Sequence, residues 1–315
     1  MLRRTSALVA AAVLLAGCTA EGPASAPDAA TTTQAPPPVD YVALGDSYTA
    51  GPLISTVRSD PSGCARSTNN YPAFLAEWLE VRTYRDVSCS GAATTDLTAP
   101  QQLLYGGTTT PPQQRALSPE TDLVTVGLGG NDFDLFARMS GCAGDLAAPG
   151  AVCDLDEPAL LRDAARVETR LADALAQVAR RAPEADVVVV GYPQVAPPRS
   201  TCRALGVDAE QAGIARRVAD RLNASVRAAA RQAGATWVDL HPVSAGHDAC
   251  AGKDAWVTGA DYVPGQPAPL HPRVAGMRAA AAAVLEAVTG ERPPAGAGPT
   301  AAPAPDAVIR NPQPR

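Results

Sequence analysis

A serine follows the first strand-like run of the chain. In "VDYVALGDSYTAG", residues 39–51, a short apolar stretch stops at Gly45 and Asp46 and delivers Ser47 into the turn beyond. A serine hydroxyl is a weak nucleophile at neutral pH and needs a base within hydrogen-bond reach. Three histidines are available to supply one. His241 sits in "DLHP" just after a strand-like segment, and His247 lies in "AGHDAC" beside Cys250. His271, in "PLHPRVAGM", stands at the start of a helix-like segment behind the Pro- and Gly-rich loop "DYVPGQPAPL". Pro272 fixes the backbone beside that imidazole, so His271 is the favoured base and His247 the second choice.

Acyl transfer also builds negative charge on a carbonyl oxygen, which preorganised N–H donors stabilise. Gly91 in "CSGAAT" and Asn131 in "LGGND" are candidate donors, the first through its backbone, the second through a side-chain amide carrying two hydrogens. Taken singly, each is equally a turn residue. Asp46 and Asp132 adjoin these positions and read as local acceptors that fix their turns. No short Cys-x-x-Cys or His-containing spacing points to a metal, and no cofactor is implied.

These residues need elements to position them. "DYVALGD", "TYRDVSCSGA", "DLVTVGLGGND", "ADVVVVGYP" and "ATWVDL" read as five buried strands. Between them lie helix-like segments: "YPAFLAEWLE" with Pro72 near its start, residues 157–181 with apolar positions at helical spacing, and residues 208–233 closed by Gly234. "HPRVAGMRAAAAAVLEAVTG" reads as a last helix with Pro272 in its first turn and Gly290 at its end. Strict alternation predicts an α/β fold with a parallel sheet covered on both faces. Ligands of such sheets sit at the carboxyl ends of the strands, where Ser47, Gly91 and Asn131 fall, with His271 opening the final helix.

The blocks "ALGDSYTAG", "CSGA", "GLGGND" and "LHPRVAGM", in that order, resemble the four signature blocks of the SGNH (GDSL) hydrolases, in particular the secreted, disulfide-bonded actinobacterial esterase/lipase branch. The resemblance covers residues 39–290, which would form the hydrolase domain. It implies a flavodoxin-like three-layer α/β/α sandwich with a five-stranded parallel sheet, and ester hydrolysis with Ser47 as nucleophile and His271 as base. The Ser47 and Gly91 N–H groups and the Asn131 amide would form the oxyanion hole. It further implies the disulfides Cys64–Cys89, Cys142–Cys153 and Cys202–Cys250. Two departures stand out. Thr49 rules out the G-x-S-x-G elbow of other hydrolases. And the family commonly has Asp three residues before the histidine, where this chain has Ala268. A main-chain carbonyl serves in members of the same branch, so the carbonyl of Ala268 is expected to orient His271, with Asp261 as the rival.

Ahead of the domain, Arg3 and Arg4 precede an apolar run from Ala7 to Ala16 that is too short to span a bilayer. The ending Leu15-Ala16-Gly17-Cys18 resembles a lipobox, so residues 1–17 are expected to be a lipoprotein signal peptide. Cys18 is then the lipid-bearing residue that attaches the exported protein to the outer face of the membrane. Residues 18–38 and 291–315, rich in Pro, Ala and Thr, read as a disordered tether and tail. With Cys18 set aside, the seven cysteines leave six, an even number that fits disulfides in an exported protein. A net charge of −6 and the lack of a basic cluster beyond residue 4 argue against nucleic acid as a partner. The expected activity is therefore an extracytoplasmic serine esterase or lipase acting on lipid or short-chain carboxylic esters. A polysaccharide O-acetyl esterase and a non-catalytic surface-binding lipoprotein are the alternatives, although aromatic residues make up only 4% of the chain, few for a stacked sugar groove.

Overall fold

The computed structural model describes residues 39–103, 107–144 and 155–293. The expected signal peptide, lipidation site Cys18, tether and nearly all of the tail lie outside the described residues, as does Cys153. In chain order the principal elements are β1 (Asp40–Gly45), α1 (Ser47–Ala50), α2 (Tyr71–Trp78), β2 (Thr83–Asp86), β3 (Leu123–Gly127), α3 (Leu135–Ser140) and α4 (Glu157–Arg181). They continue with β4 (Asp186–Val190), α5 (Ala209–Gln232), β5 (Thr236–Val238), α6 (Leu240–Val243) and α7 (Val274–Thr289). The five strands form one parallel sheet in the order β2-β1-β3-β4-β5, the flavodoxin-like arrangement.

The two faces of the sheet are apolar because side chains alternate along a strand. From β1, Val42 and Leu44 face a layer that includes Leu160, Val167 and Leu171 of α4 and Val218, Leu222 and Val226 of α5. Tyr41 and Ala43 face the opposite layer, with Phe74 and Leu75 of α2 and Met277, Ala281 and Val284 of α7. Burial on both sides is why the inner strands β1, β3 and β4 read as apolar runs. The covering helices begin where side chains cap them: Asn70 accepts from Ala73 N, Asp156 from Ala159 N, and Asp208 exchanges bonds with Gln211 in a capping box. Gly290, in the left-handed conformation at φ 74°, closes α7.

Two boundaries differ from the sequence reading. β2 stops at Asp86, whose carboxylate accepts from the N–H and hydroxyl of Ser88, although Val87 and Cys89 N–H still donate to Ala43 O and Gly45 O of β1 at 3.0 and 2.9 Å. The last helix starts at Val274, not at Pro272. Pro272 instead pairs with Val257 in an isolated antiparallel bridge, so His271 sits in a loop held to residues 257–258 rather than on the helix.

The order reverses between β1 and its neighbours: the chain leaves β1 for β2 on one side, then returns to β3 on the other. A crevice opens beyond the carboxyl ends at such a reversal. The turn after β1 enters it from the centre, and the turns after β2 and β3 flank it.

Candidate active site

Ser47 is the first residue of α1 and is 6% exposed. The turn that presents it is tight. Asp46 N–H extends the ladder to Gly127 O at 2.9 Å, and the Asp46 carboxylate caps α1 by accepting from Tyr48 N at 2.8 Å. Gly45 and Gly127 are register partners across β1 and β3, and both make room for Thr49. A Cβ at position 45 would lie 2.1 Å from Thr49 Oγ1, and one at position 127 would lie 2.5 Å from the same atom.

The His271 ring closes on this serine, with Nε2 2.7 Å from Ser47 Oγ. The other nitrogen, Nδ1, lies 2.7 Å from the carbonyl oxygen of Pro269, a geometry in which Nδ1–H donates and Nε2 accepts from the serine hydroxyl. The orienting group is therefore a main-chain carbonyl, one residue beyond the expected one. Leu270 adopts φ 59°, which swings the Pro269 carbonyl under the imidazole. Ala268 O is occupied by the Thr258 hydroxyl at 2.6 Å and the backbone N–H of His271 at 3.2 Å. The rival, Asp261, is exposed, with its Oδ1 beside Gly144. Burial pulls the His271 pKa below its ordinary value, and the Pro269 carbonyl opposes that by favouring the protonated ring. The net effect favours the neutral ring, the form that can accept a proton.

The other two histidines are engaged elsewhere. His247 stacks on Trp256, ring centroids 3.9 Å apart, with Nδ1 2.8 Å from Asp254 O. His241 lies 3.3 Å from both Gln194 Nε2 and Asp220 Oδ1.

Gly91 and Asn131 stand in the turns that flank Ser47. Gly91 has φ 82°, a backbone state that L side chains rarely adopt. Its loop is pinned to β1 by Cys89 N–H on Gly45 O at 2.9 Å and joined by the Cys64–Cys89 disulfide to the segment before α2. Asn131 Nδ2 donates to Ala92 O at 2.9 Å, so the two turns are tied together across the end of β1. A second disulfide joins Cys202 and Cys250. The Cys142–Cys153 pairing involves a residue outside those described.

Asp46 and Asp132 do more than fix their own turns. Asp46, fully buried, also accepts from Tyr192 Oη at 2.6 Å, and Tyr192 Oη in turn accepts from Gly130 N at 2.7 Å. Tyr192 thereby couples the turn of Ser47 to the turn bearing Asn131, from beyond the end of β4. Burial pushes the Asp46 carboxyl up to about 7, against the lowering pull of the Tyr192 and Tyr48 bonds. Asp132, equally buried, accepts from Thr94 N at 3.0 Å and Thr94 Oγ1 at 2.6 Å, and from Arg170 of α4 at 3.2 Å. It ties the β3 turn to the β2 turn. Tyr192 in "GYP" after the fourth strand was legible as a turn and not as a partner of Asp46.

From His271 and Tyr48 a cleft of about 560 Å³ extends, with Phe136, Met139, Leu155 and Leu205 among its apolar walls and Arg216 and Asp220 also lining it. Among the described residues, no group of His, Cys, Asp and Glu could hold a metal ion, and no helix is long and apolar enough to cross a membrane.

A parallel α/β sandwich with a serine–histidine pair at the carboxyl ends of its strands defines an α/β hydrolytic enzyme. Comparison with known proteins gives its family. Residues 43–279 match the profile of the GDSL-like lipase/acylhydrolase family. Lipase 2 of Streptomyces coelicolor is 39% identical over 293 residues, covering 88% of this chain and 94% of that protein. An esterase of Streptomyces scabiei is 32% identical over 291 residues, covering 80% and 83%. The crystal structure of an extracellular lipase from Streptomyces rimosus superposes with a TM-score of 0.65 at 28% identity, covering 80% of this chain and 99% of that one. The chain belongs to the GDSL-like lipase/acylhydrolase family.

Proposed function

We propose that the protein hydrolyses carboxylic esters of lipids through an acyl-enzyme on Ser47. The observation that carries this reading is the Ser47 Oγ–His271 Nε2 contact of 2.7 Å, with Nδ1 held by a carbonyl. As Oγ bonds to the ester carbonyl carbon, its proton passes to Nε2. The carbonyl oxygen takes up the negative charge, facing the Ser47 and Gly91 N–H groups and the Asn131 amide. Asn131 gives one Nδ2 hydrogen to Ala92 O, which aims the amide and leaves the other for that oxygen. Collapse breaks the bond to the alcohol, which leaves with the proton from Nε2. Water then repeats the sequence on the acyl-enzyme and releases the acid.

A lipid acyl group is favoured over acetate by the apolar cleft of about 560 Å³ that begins at His271, far more room than two carbons need. Two exposed apolar loops beside the site support it too: Leu53 and Tyr262–Val263 lie on segments joined by Ala268 N–H to Pro52 O at 3.0 Å. The extracellular lipase among its structural relatives and the two disulfides between described residues support export. Anchoring through Cys18 completes the reading of an outward-facing lipoprotein enzyme.

The test is hydrolysis of chromogenic esters of increasing acyl length by wild type and Ser47→Ala. We expect kcat/KM to rise with chain length beyond acetate, and Ser47→Ala to lose activity by about 10³-fold or more. Equal rates for the two proteins would end the serine mechanism, and a preference for acetate would shift the substrate to O-acetyl esters.

A further inference from the structure

Three consecutive carbonyls precede His271, and each has its own hydrogen-bond donor. Ala268 O takes the Thr258 hydroxyl at 2.6 Å, Pro269 O takes His271 Nδ1 at 2.7 Å, and Leu270 O takes the Tyr48 hydroxyl at 2.7 Å. The carbonyl that serves the imidazole is thus the middle one, with both flanking peptides tied down. We propose that Tyr48 and Thr258 are positioning residues that together hold the Pro269 carbonyl against His271, doing for this enzyme what a carboxylate does in a triad. This rests on the reading of Ser47 and His271 as nucleophile and base.

A carboxylate in a triad is a fixed acceptor that selects the imidazole tautomer and supports the positive charge that develops on it. A peptide carbonyl is a weaker acceptor, and it is useful only if its plane cannot rotate. Here rotation would be favoured on local grounds. Leu270 at φ 59° is a non-glycine residue in the left-handed region, a state that L side chains rarely adopt and that persists only where the surroundings over-determine it. The peptide that carries this carbonyl ends in the Leu270 N–H, which donates to Gly259 O at 2.9 Å, so its plane is held by that bond and by the two flanking peptides.

The two hydroxyls supply the constraint from opposite sides. Thr258 is buried, and its Oγ1 both donates to Ala268 O and accepts from the His271 N–H at 3.1 Å, while its backbone N–H donates to His271 O at 3.0 Å. Leu270 N–H donates to Gly259 O at 2.9 Å, so the whole turn is laced to residues 258–259. Tyr48 comes from the other side. It follows the nucleophile directly, its N–H is fixed by Asp46, and its ring lies 5.1 Å from the imidazole centroid and 5.3 Å from that of Tyr192. A single side chain therefore ties the helix carrying Ser47 to the loop carrying His271. Movement of the loop relative to the serine must break the Tyr48–Leu270 bond.

The groups that face the imidazole are the Ser47 hydroxyl, the Tyr48 ring and the Pro269 carbonyl, and no charged side chain is among the causes that shift its titration. Asp46, which caps the turn of Ser47 and is pushed by burial up to about 7, titrates in the same range, so the carbonyl is read from the shift of the limb between each variant and wild type. A carbonyl in place favours the protonated ring, so loosening it lowers the apparent pKa of the base.

Tyr48→Phe, Thr258→Val, Thr258→Ser and the Tyr48→Phe/Thr258→Val double variant test the pair, assayed with a soluble short-chain ester. Rates are counted per active serine, titrated with a phosphonate ester, so that loss of folded protein does not enter. We expect kcat to fall about tenfold in Tyr48→Phe and in Thr258→Val, with KM little changed. The acid limb of kcat/KM should move to lower pH in both. Thr258→Ser should stay within about threefold of wild type. The double variant should lose less than the product of the single losses, because both bonds hold one turn. Unchanged kcat in either single variant, a loss confined to KM, or an acid limb that stays in place would overturn the proposal. Failure of the phosphonate to label wild type would sink the Ser47 reading, and the clamp with it, whereas labelling with unchanged kcat sinks the clamp alone.

Discussion

Replacing Tyr192 by Phe removes one buried oxygen and leaves two partners behind. Asp46 Oδ2 loses the hydroxyl at 2.6 Å, and Gly130 N–H loses its acceptor at 2.7 Å. A hydrogen bond to a charged group contributes about 1.5–3 kcal/mol, and a buried N–H left unpaired costs about 1–3 kcal/mol. With partial relaxation the expected destabilisation is roughly 3 kcal/mol, or about 6–12 °C in Tm for a domain of this size. The cost should also depend on pH, with a sign fixed by Asp46. Its folded-state pKa of about 7 lies above the ordinary 3.8, so the native state keeps a proton that the unfolded chain has lost. Stability therefore falls as pH rises from about 4 through about 7. The Tyr192 bond lowers that pKa, so its removal raises the folded value further and extends the fall to higher pH. Urea unfolding of both proteins at pH 5.5 and pH 8.5 measures the effect, and the difference should be larger at pH 8.5. A loss under about 1 kcal/mol, or one equal at the two pH values, would refute the account of Asp46 as a buried carboxyl held by Tyr192.

Two further outcomes follow from the same geometry. Gly45→Ala and Gly127→Ala should each lower Tm by several degrees, since both new methyls meet Thr49 Oγ1. Thr49→Ala should rescue Gly127→Ala, where the next atoms lie 3.9 Å away, and not Gly45→Ala, where Thr49 Cβ remains at 2.5 Å; equal rescue in a thermal melt would refute it. Removing Cys64–Cys89, which closes a span of 25 residues, or Cys202–Cys250, which closes 48, should cost about 3.5 and 4 kcal/mol in the loop-entropy account. Unfolding of Cys→Ser pairs in urea tests this, and only loss of the first pair should also lower kcat, because it alone pins the turn of Gly91.

The fold was legible in the sequence because burial on both faces leaves a strong mark. The run "DVVVV" of β4 has no other reading, and the long helices α4 and α5 announce themselves through apolar residues at helical spacing in 157–181 and through Gly234 after 208–233. A parallel sheet then sends the residues after each strand to one edge, which brings Ser47, Gly91 and Asn131 to neighbouring turns. His271 could be put forward as the base because the chain has three histidines and His271 is the one that opens a helix-like segment behind a Pro- and Gly-rich loop.

What stayed hidden is whatever depends on a backbone angle or a distant partner. Nothing in "APLHP" says that Leu270 takes φ 59°, and that one angle decides whether residue 268 or residue 269 serves the imidazole. The partners of Asp46 and Asp132 lie 146 and 38 residues away, so the sequence shows two turn-fixing acids where the structure has cross-links between turns. Tyr48 and Thr258 had the least signal of all, a tyrosine that follows a serine and a threonine in "WVTGA". Yet the missing Asp is what makes them informative. An enzyme with a triad carboxylate can leave its histidine loop to one strong acceptor, whereas a carbonyl must be held by its neighbours. A site without its expected acid should therefore be searched for donors to the backbone around the base before it is called degenerate.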